Sequence, residues 1–464
     1  MQSINPATGE TVATFEEHTS AEVERSLAAA AKAFPDWRAR PLQERADLLR
    51  RAAAYLREHK SRFGRLISVE MGKPITQAEA EVEKCAWNCE FYADNAGAFL
   101  ADREVATNAQ HSLVAFEPLG PILAVMPWNF PFWQVIRFAA PALAAGNVAV
   151  LKHASNVPQC ALAIEEIFQE SGFPEGVFRT LLIPASAVES VIADDRVRAV
   201  TLTGSDATGS KVAELAGRYL KKTVLELGGS DPFVVLADAD LQAAAEVGVL
   251  ARFQNAGQSC IAAKRFIVEQ SVADEFEQRF VAAVERLQVG DPLERTTQVG
   301  PLAREDLVDA LETQVRASLD QGGEVRNGGK RLDGPGNFYA PTVISGVSDR
   351  MPVWREETFG PVAAVVRAAD EDEAIRLAND TSFGLGASLW TRDLARGDRL
   401  ARRIEAGSVF VNAMVASDPR LPFGGIKRSG YGRELSDFGI HEFLNIKTVF
   451  IAGGTGPVKS AVDD

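Results

Sequence analysis

The chain has 464 residues, 46% of them hydrophobic and 24% charged, which is enough apolar material for two or three domains with substantial cores. A formal net charge of -14 argues against nucleic acid or an anionic membrane as a partner, while leaving room for a local basic pocket that holds a phosphate. Four cysteines at irregular spacing, and a start (Met1 to Pro6) without an apolar run, point to a reducing cytoplasm.

Residues 5–10 form a turn signature before a short strand at 11–15. Apolar residues three and four apart then predict helices over 20–34, 41–60 and 74–99. Cys85 and Cys89 share a face of the third, but without further ligands they make no metal site, and Cys160 reads as helix packing. Strands are expected at 113–116 and 121–126, followed by Pro127-Trp128-Asn129-Phe130-Pro131 and a helix. The most apolar run, 135–151, is broken by Arg137, Pro141, Gly146 and Asn147, so no membrane span is expected there.

Beyond it strand and helix alternate: 147–151 then 156–170, 178–182 then 186–193, and 199–202 with a helix from Asp206. That rhythm predicts a parallel sheet whose ligands lie beyond the carboxyl ends of its strands. Lys152 and Ser155 follow one such end, and Thr203-Gly204-Ser205 another. The loop from Gly204 to Gly209 opens a helix, so its N–H groups either face a phosphate or are simply capped by Ser205 or Asp206. A second α/β block follows, with strands at 232–236, 265–268, 339–344 and 360–366, helices at 240–255, 271–287 and 305–321, and a glycine-rich hairpin region at 322–336.

Two stretches carry chemistry. In Phe253 to Ile261 a single cysteine, Cys260, follows a polar glycine-containing turn, as a nucleophile presented on a loop would. A free thiol near pKa ~8.5 needs a base or a positive field beside it to react. Glu226 is a lone acid among Val224, Leu225 and Leu227 before a Gly-Gly turn, so it should be partly desolvated, with its pKa raised towards general-base use.

Pro127 to Pro131, Glu226-Leu227-Gly228-Gly229, Gly257-Gln258-Ser259-Cys260, Glu357-Thr358-Phe359-Gly360-Pro361 and Pro422 to Lys427 with Ser429-Gly430 stand in the order and spacing of the aldehyde dehydrogenase superfamily. The resemblance spans residues 5–447. Stretches 416–423 and 441–448 are most similar to the short bacterial succinate-semialdehyde dehydrogenases.

The resemblance implies an aldehyde-dehydrogenase-like α/β fold with two parallel-sheet domains and a β-arm. Residues 1–102 and 119–229 would form the dinucleotide-binding domain, 230–435 the catalytic domain, and 103–118 with 436–455 the arm that makes a homodimer or homotetramer. It implies attack by Cys260 on an aldehyde, an oxyanion held by the Asn129 amide and the Cys260 N–H, and hydrolysis of the thioester by a water that Glu226 activates. No metal is required. On the cofactor side it places Trp128, Lys152, Ser155, Gly204, Ser205, Glu357 and Phe359. A neutral Ser155 beside Lys152, where NAD-preferring relatives often carry an acid, favours NADP over NAD.

The implied substrate is an aldehyde with a remote carboxylate, namely succinate semialdehyde, with glutarate semialdehyde or a general aldehyde as alternatives. Arg137, eight residues after Asn129 and so able to share a helical face with it, has apolar neighbours. It is either a carboxylate clamp or half of a buried ion pair. The resemblance adds Ser417 to the clamp and places Phe130, Phe423 and Gln254 around the substrate. Gln254 stands where some relatives place a second arginine, and Phe138 where many place a lysine that pairs with the acid corresponding to Glu434. A cysteine acyl-transferase or thioesterase would keep Cys260 and Glu226 but would not need Lys152, Ser205 and Glu357.

Overall fold

The computed structural model describes residues 1–453; the tail that follows, with the last two residues of the expected arm, lies outside the described residues. Two hydrophobic cores organise the chain.

The first lies around a six-stranded sheet, ordered Gly430–Tyr431, Lys222–Glu226, Ala199–Thr203, Pro121–Met126, Val148–His153, Phe178–Thr180. All its neighbours run parallel except the first pair. A parallel sheet is covered by helices on both faces, so its strands read as unbroken apolar runs. Val148, Ala149, Val150 and Leu151 are accordingly fully buried.

The second core surrounds a seven-stranded sheet, ordered Glu324–Asn327, Thr342–Ser345, Val362–Ala368, Ala263–Glu269, Asp231–Val235, Gly386–Trp390, Ser408–Val411. Only its Glu324–Asn327 edge is antiparallel. A separate antiparallel sheet joins Leu444–Ile451, His111–Pro118 and Arg103–Glu104. The chain's return at Gly430–Tyr431 pairs with Leu225 and Glu226, so residues late in the sequence complete the first sheet beside the end of its Lys222–Glu226 strand.

Several elements differ from expectation. The first helix does not stop at Phe34 but runs Ser20–Ala39 through Pro35, because Trp37, only 1% exposed, anchors its last turn in the core. A helix at Lys60–Met71 was not foreseen, since only His59 separates it from Leu42–Glu58 and neither Gly nor Pro marks the break. The structure also adds helices at Glu371–Asn379 and Leu394–Ala401 and strands at Gly386–Trp390 and Ser408–Val411. Among the described residues no helix is long and apolar enough to cross a membrane.

Candidate active site

The Cys260 loop is over-determined. After the helix Leu241–Phe253 the chain passes Asn255 (φ 55°), Ala256 (φ 53°) and Gly257 (φ 72°), three successive left-handed residues. Two of them carry a Cβ, a strain that persists only where the surroundings impose it.

Here they do. Asn255 Nδ2 donates to the carbonyls of Asn129 (2.9 Å) and Gln258 (3.1 Å), and Asn129 Nδ2 donates to the same Gln258 carbonyl (3.0 Å). Buried Lys264 donates to the carbonyls of Ser259 and Cys260, both at 2.9 Å, and buried Arg252 donates to those of Thr358, Gly360 and Val362. At Gly257 a Cβ would stand 2.3 Å from the Gly360 carbonyl oxygen. Gly257→Ala is therefore expected to destabilise the protein by ~1–3 kcal/mol and to cut aldehyde oxidation. Thermal unfolding and a rate assay check this, and an unchanged Tm with full activity would refute it.

Two cavities meet at this loop. One, of about 240 Å³, is bordered by Lys84, Phe130, Arg137, Gln254, Ser417 and Phe423. The other, of about 440 Å³, is bordered by Trp128, Asn129, Lys152, Gly204, Ser205, Glu357 and Phe359. Cys260 and Gln134 border both. Ser155 is exposed just past the strand Val148–His153 and does not line the second cavity, and Glu226 lines neither.

Three strands of the first sheet bring their carboxyl ends to the site, with Lys152, Thr203 and Glu226 among the last residues. Ser205 is the N-cap of Asp206–Arg218, its Oγ accepting from Thr208 N at 3.3 Å, so the capping role is realised at a helix end that opens on the larger cavity. The Trp128 and Phe359 rings meet edge to face, 5.7 Å apart. Glu357 accepts from Gly229 N (3.0 Å) and lies 3.6 Å from Lys264 Nζ.

Burial pushes the Cys260 thiol up to about 12, against the opposing pull of Arg137 and Lys264. The resting group is thus a protonated thiol. Glu226 is 2% exposed, and neither of its oxygens has a hydrogen-bond partner among the described residues. Desolvation, and then the neighbouring Glu434, hold its pKa well above the usual carboxylate range. A Cβ on Gly424 would lie 2.6 Å from Glu226 Oε1, so that glycine admits the carboxyl.

Arg137 forms a buried ion pair with Glu434, donates to Thr203 Oγ1 (3.3 Å) and lies over the Phe423 ring (4.7 Å). The buried pair is present, because an arginine 3% exposed needs an acid beside it, and the same side chain also borders the smaller cavity. Arg137 does not share a helical face with Asn129, since the helix begins only at Trp133 and the two residues border different cavities. Phe138 fills its place by packing edge to face on Phe443, 5.7 Å between centroids.

The structure adds Lys84, Gln134, Arg252 and Lys264 to the site, and shows Gln258, in the sequence only a member of the Cys260 motif, tying that loop to Asn129, Asn255 and Ala303. Lys264 and Arg252 are charged residues in apolar runs, a signal that was available. Lys84 sits on an ordinary amphipathic helix and gives none.

A cysteine on the border of two cavities, with a desolvated acid near by and a helix N-terminus opening on a parallel-sheet cleft, fits an oxidoreductase that uses a dinucleotide and a cysteine nucleophile. Residues 1–449 match the aldehyde dehydrogenase family, and the chain belongs to that family. It is 56% identical over 450 residues to a probable NADP(+) succinate-semialdehyde dehydrogenase of Synechocystis sp., covering 97% of this chain and 99% of the relative. It is 52% identical over 453 residues to NADP(+) succinate-semialdehyde dehydrogenase 1 of Mycobacterium tuberculosis, again covering 97% and 99%. Among solved structures, succinic semialdehyde dehydrogenase from Streptococcus pyogenes in complex with NADP+ superposes with a TM-score of 0.95 at 39% identity, covering 97% of this chain and 100% of that one.

Proposed function

We propose that this chain is an NADP-dependent succinate-semialdehyde dehydrogenase, oxidising succinate semialdehyde to succinate. The observation that carries the reading is the position of Cys260 on the border of both cavities, so that a carbonyl carbon entering from the smaller meets a hydride acceptor held in the larger. The names of the relatives support the substrate and the cofactor. An acyl-transferase or thioesterase would have no use for the larger cavity.

The residues fit a nicotinamide dinucleotide. Lys152 is 9% exposed and borders the cleft, and its ammonium has no ionic or hydrogen-bond partner among the described residues, which suits a ribose phosphate. Thr203, Gly204 and Ser205 lead into a helix N-terminus suited to a diphosphate. Glu357, Trp128 and Phe359 border the rest of the cleft, towards Cys260. When bound, the cofactor supplies the hydride acceptor.

The chain's own residues do the remaining work. Cys260 Sγ gives its proton to Glu226, directly or through water, and adds to the aldehyde carbon. The oxyanion is met by the Cys260 N–H and by the Asn129 amide, which has one N–H engaged by Gln258 and no second partner among the described residues. After hydride loss the acyl group is a thioester on Sγ. Glu226 takes a proton from the attacking water, the carbon–sulfur bond breaks, and the acid leaves. Arg137 and Ser417 border the smaller cavity, which receives the substrate's carboxylate end beside Phe130, Phe423 and Gln254.

The exposed apolar side chains of Ile446, Phe450 and Ile451 support the three-stranded arm as the surface on which subunits pair into a homodimer or homotetramer. The two sheets support a division near residue 230 into dinucleotide-binding and catalytic domains, with Gly430–Tyr431 returning to the first sheet. Four free thiols support a reducing, cytoplasmic setting.

The test is cofactor reduction with succinate semialdehyde, glutarate semialdehyde and butanal, using NADP and NAD. Highest kcat/KM is expected for succinate semialdehyde with NADP; a preference for butanal would overturn the substrate assignment. Ser155→Glu is expected to lower the NADP-to-NAD ratio of kcat/KM by about tenfold or more, through repulsion of the 2'-phosphate, with the aldehyde KM unchanged. An unmoved ratio would free Ser155 of that role.

A further inference from the structure

Lys264 stands in the strand Ala263–Glu269, four residues after Cys260, and is 0% exposed. Taking an ammonium out of water is costly, so its partners show what it is for. Its Nζ donates to three carbonyls of the nucleophile loop, those of Ser259 and Cys260 at 2.9 Å and that of Ala262 at 3.4 Å. The three N–H groups of the ammonium are thus all taken by backbone oxygens. Burial draws its pKa down, against the pull of Glu357, whose Oε1 lies 3.6 Å away, and of Asp231. A Cβ on Gly229 would stand 2.6 Å from the Cys260 carbonyl oxygen, so backbone as well as ammonium confines that carbonyl.

A trans peptide is planar, with its C=O and N–H pointing in opposite directions, and no cis peptide occurs among the described residues. Holding the Ser259 oxygen on Lys264 therefore turns the Cys260 N–H away from the ammonium. That N–H has no hydrogen-bond partner among the described residues, and it belongs to the residue that borders both cavities. The Asn129 amide is tied to the neighbouring carbonyl, that of Gln258, at 3.0 Å. Two successive carbonyls of one loop thus fix the two donors assigned to the oxyanion. Ala262 N also donates to the Ser259 oxygen, at 3.2 Å, so one tether remains when Lys264 is removed.

We propose that Lys264 is a positioning residue for the oxyanion: by gripping the Ser259 carbonyl it aims the Cys260 N–H at the oxygen that becomes negative when Sγ adds to a carbonyl. This rests on Cys260 as the nucleophile. Lys264 borders neither cavity, so it acts only through the loop. Reactions of Cys260 that build an oxyanion should therefore need Lys264, and those that build none should not. p-Nitrophenyl acetate and iodoacetamide separate the two. With the ester, the thiolate forms a C–S bond, the carbonyl electron pair moves to oxygen and then returns, and p-nitrophenolate leaves. With iodoacetamide the same thiolate displaces iodide from a saturated carbon, and no carbonyl oxygen gains charge. In both, the thiol proton has first passed to Glu226 or water.

The experiment measures second-order rates of Cys260 acylation by p-nitrophenyl acetate and of its alkylation by iodoacetamide, at one pH and without cofactor, in wild type and Lys264→Met, with Cys260→Ser as the blank. Loss of the ammonium also removes a charge that favours the thiolate, so both rates should fall. The quotient of acylation over alkylation cancels that effect. It should drop by about 10- to 100-fold in Lys264→Met, less than the loss of a whole donor because Ala262 N still holds the Ser259 oxygen. An unchanged quotient, with both rates lowered alike, would leave Lys264 a support for the loop and its charge and overturn the proposal. If Lys264→Met does not fold, Lys264→Ser, whose hydroxyl is too short to reach the carbonyls, goes through the same comparison with the same two outcomes. The quotient involves neither aldehyde nor cofactor, so it decides on Lys264 whether or not the substrate and cofactor readings hold.

Discussion

Cys260→Ser is expected to reduce kcat/KM for aldehyde oxidation by about 10⁴-fold or more, the order of loss seen when an enzyme's nucleophile is removed. A serine hydroxyl is close in size to the thiol, so the loop held by Lys264, Asn255 and Asn129 should survive and Tm should move little. What disappears is an atom that forms a thiolate and leaves again as one when water attacks the acyl group.

The same thiol gives an independent readout. With its pKa pushed up to about 12, its thiolate fraction grows about tenfold per pH unit across neutral and mildly alkaline pH. Alkylation of the free enzyme by iodoacetamide at that position should climb with the same slope. A plateau below pH 8 would mean that Arg137 and Lys264 outweigh burial. A Cys260→Ser enzyme retaining a tenth of wild-type activity would remove Cys260 from the mechanism.

Glu226→Gln should separate the two half-reactions. Acylation of Cys260 continues with water taking the thiol proton, giving a burst of reduced cofactor equal to the active sites, followed by turnover slowed by about 10² to 10⁴-fold for want of a base. The pH dependence follows from the raised pKa: below it Glu226 holds a proton and cannot accept one, so wild-type hydrolysis of the thioester rises with pH. The glutamine variant should lose that rise.

Stability should move the other way. A carboxyl that binds its proton more tightly folded than unfolded makes the native state take up protons above the unfolded pKa near ~4.3, so stability falls as pH rises past it. Glu226→Gln should therefore melt higher than wild type at pH 8 and much like it at pH 4. No burst, or a fall in Tm at pH 8, would count against Glu226 as a desolvated base.

The neighbours of Glu226 show how far its sequence could be read. Leu225, Leu227 and the glycines after them announce a carboxyl kept from water, and it is 2% exposed. They do not announce Glu434, which shares Arg137 with it, or Gly424, which makes room for its oxygens. Those contacts join residues about two hundred positions apart through the pairing of Gly430–Tyr431 with the strand that ends at Glu226.

Arg137 is the same case in reverse. Its apolar neighbours show that it is buried and must have a partner, but whether that partner is a substrate or Glu434 depends on a packing arrangement that no local pattern encodes.

The sequence by itself determined the alternation of strand and helix, the parallel sheets that follow from it, and the positions of Cys260, Glu226 and Asn129 in motifs that belong to one family. These are local properties: hydrophobic periodicity, turn residues and the chemistry of a short stretch act over a few positions. Only the tertiary structure decided that Cys260 borders two cavities, that Arg137 is compensated and that Lys84 meets Ser417 across 333 positions of chain. Charge compensation in a buried site depends on which side chains the packed cores bring together, and that is a property of the whole fold.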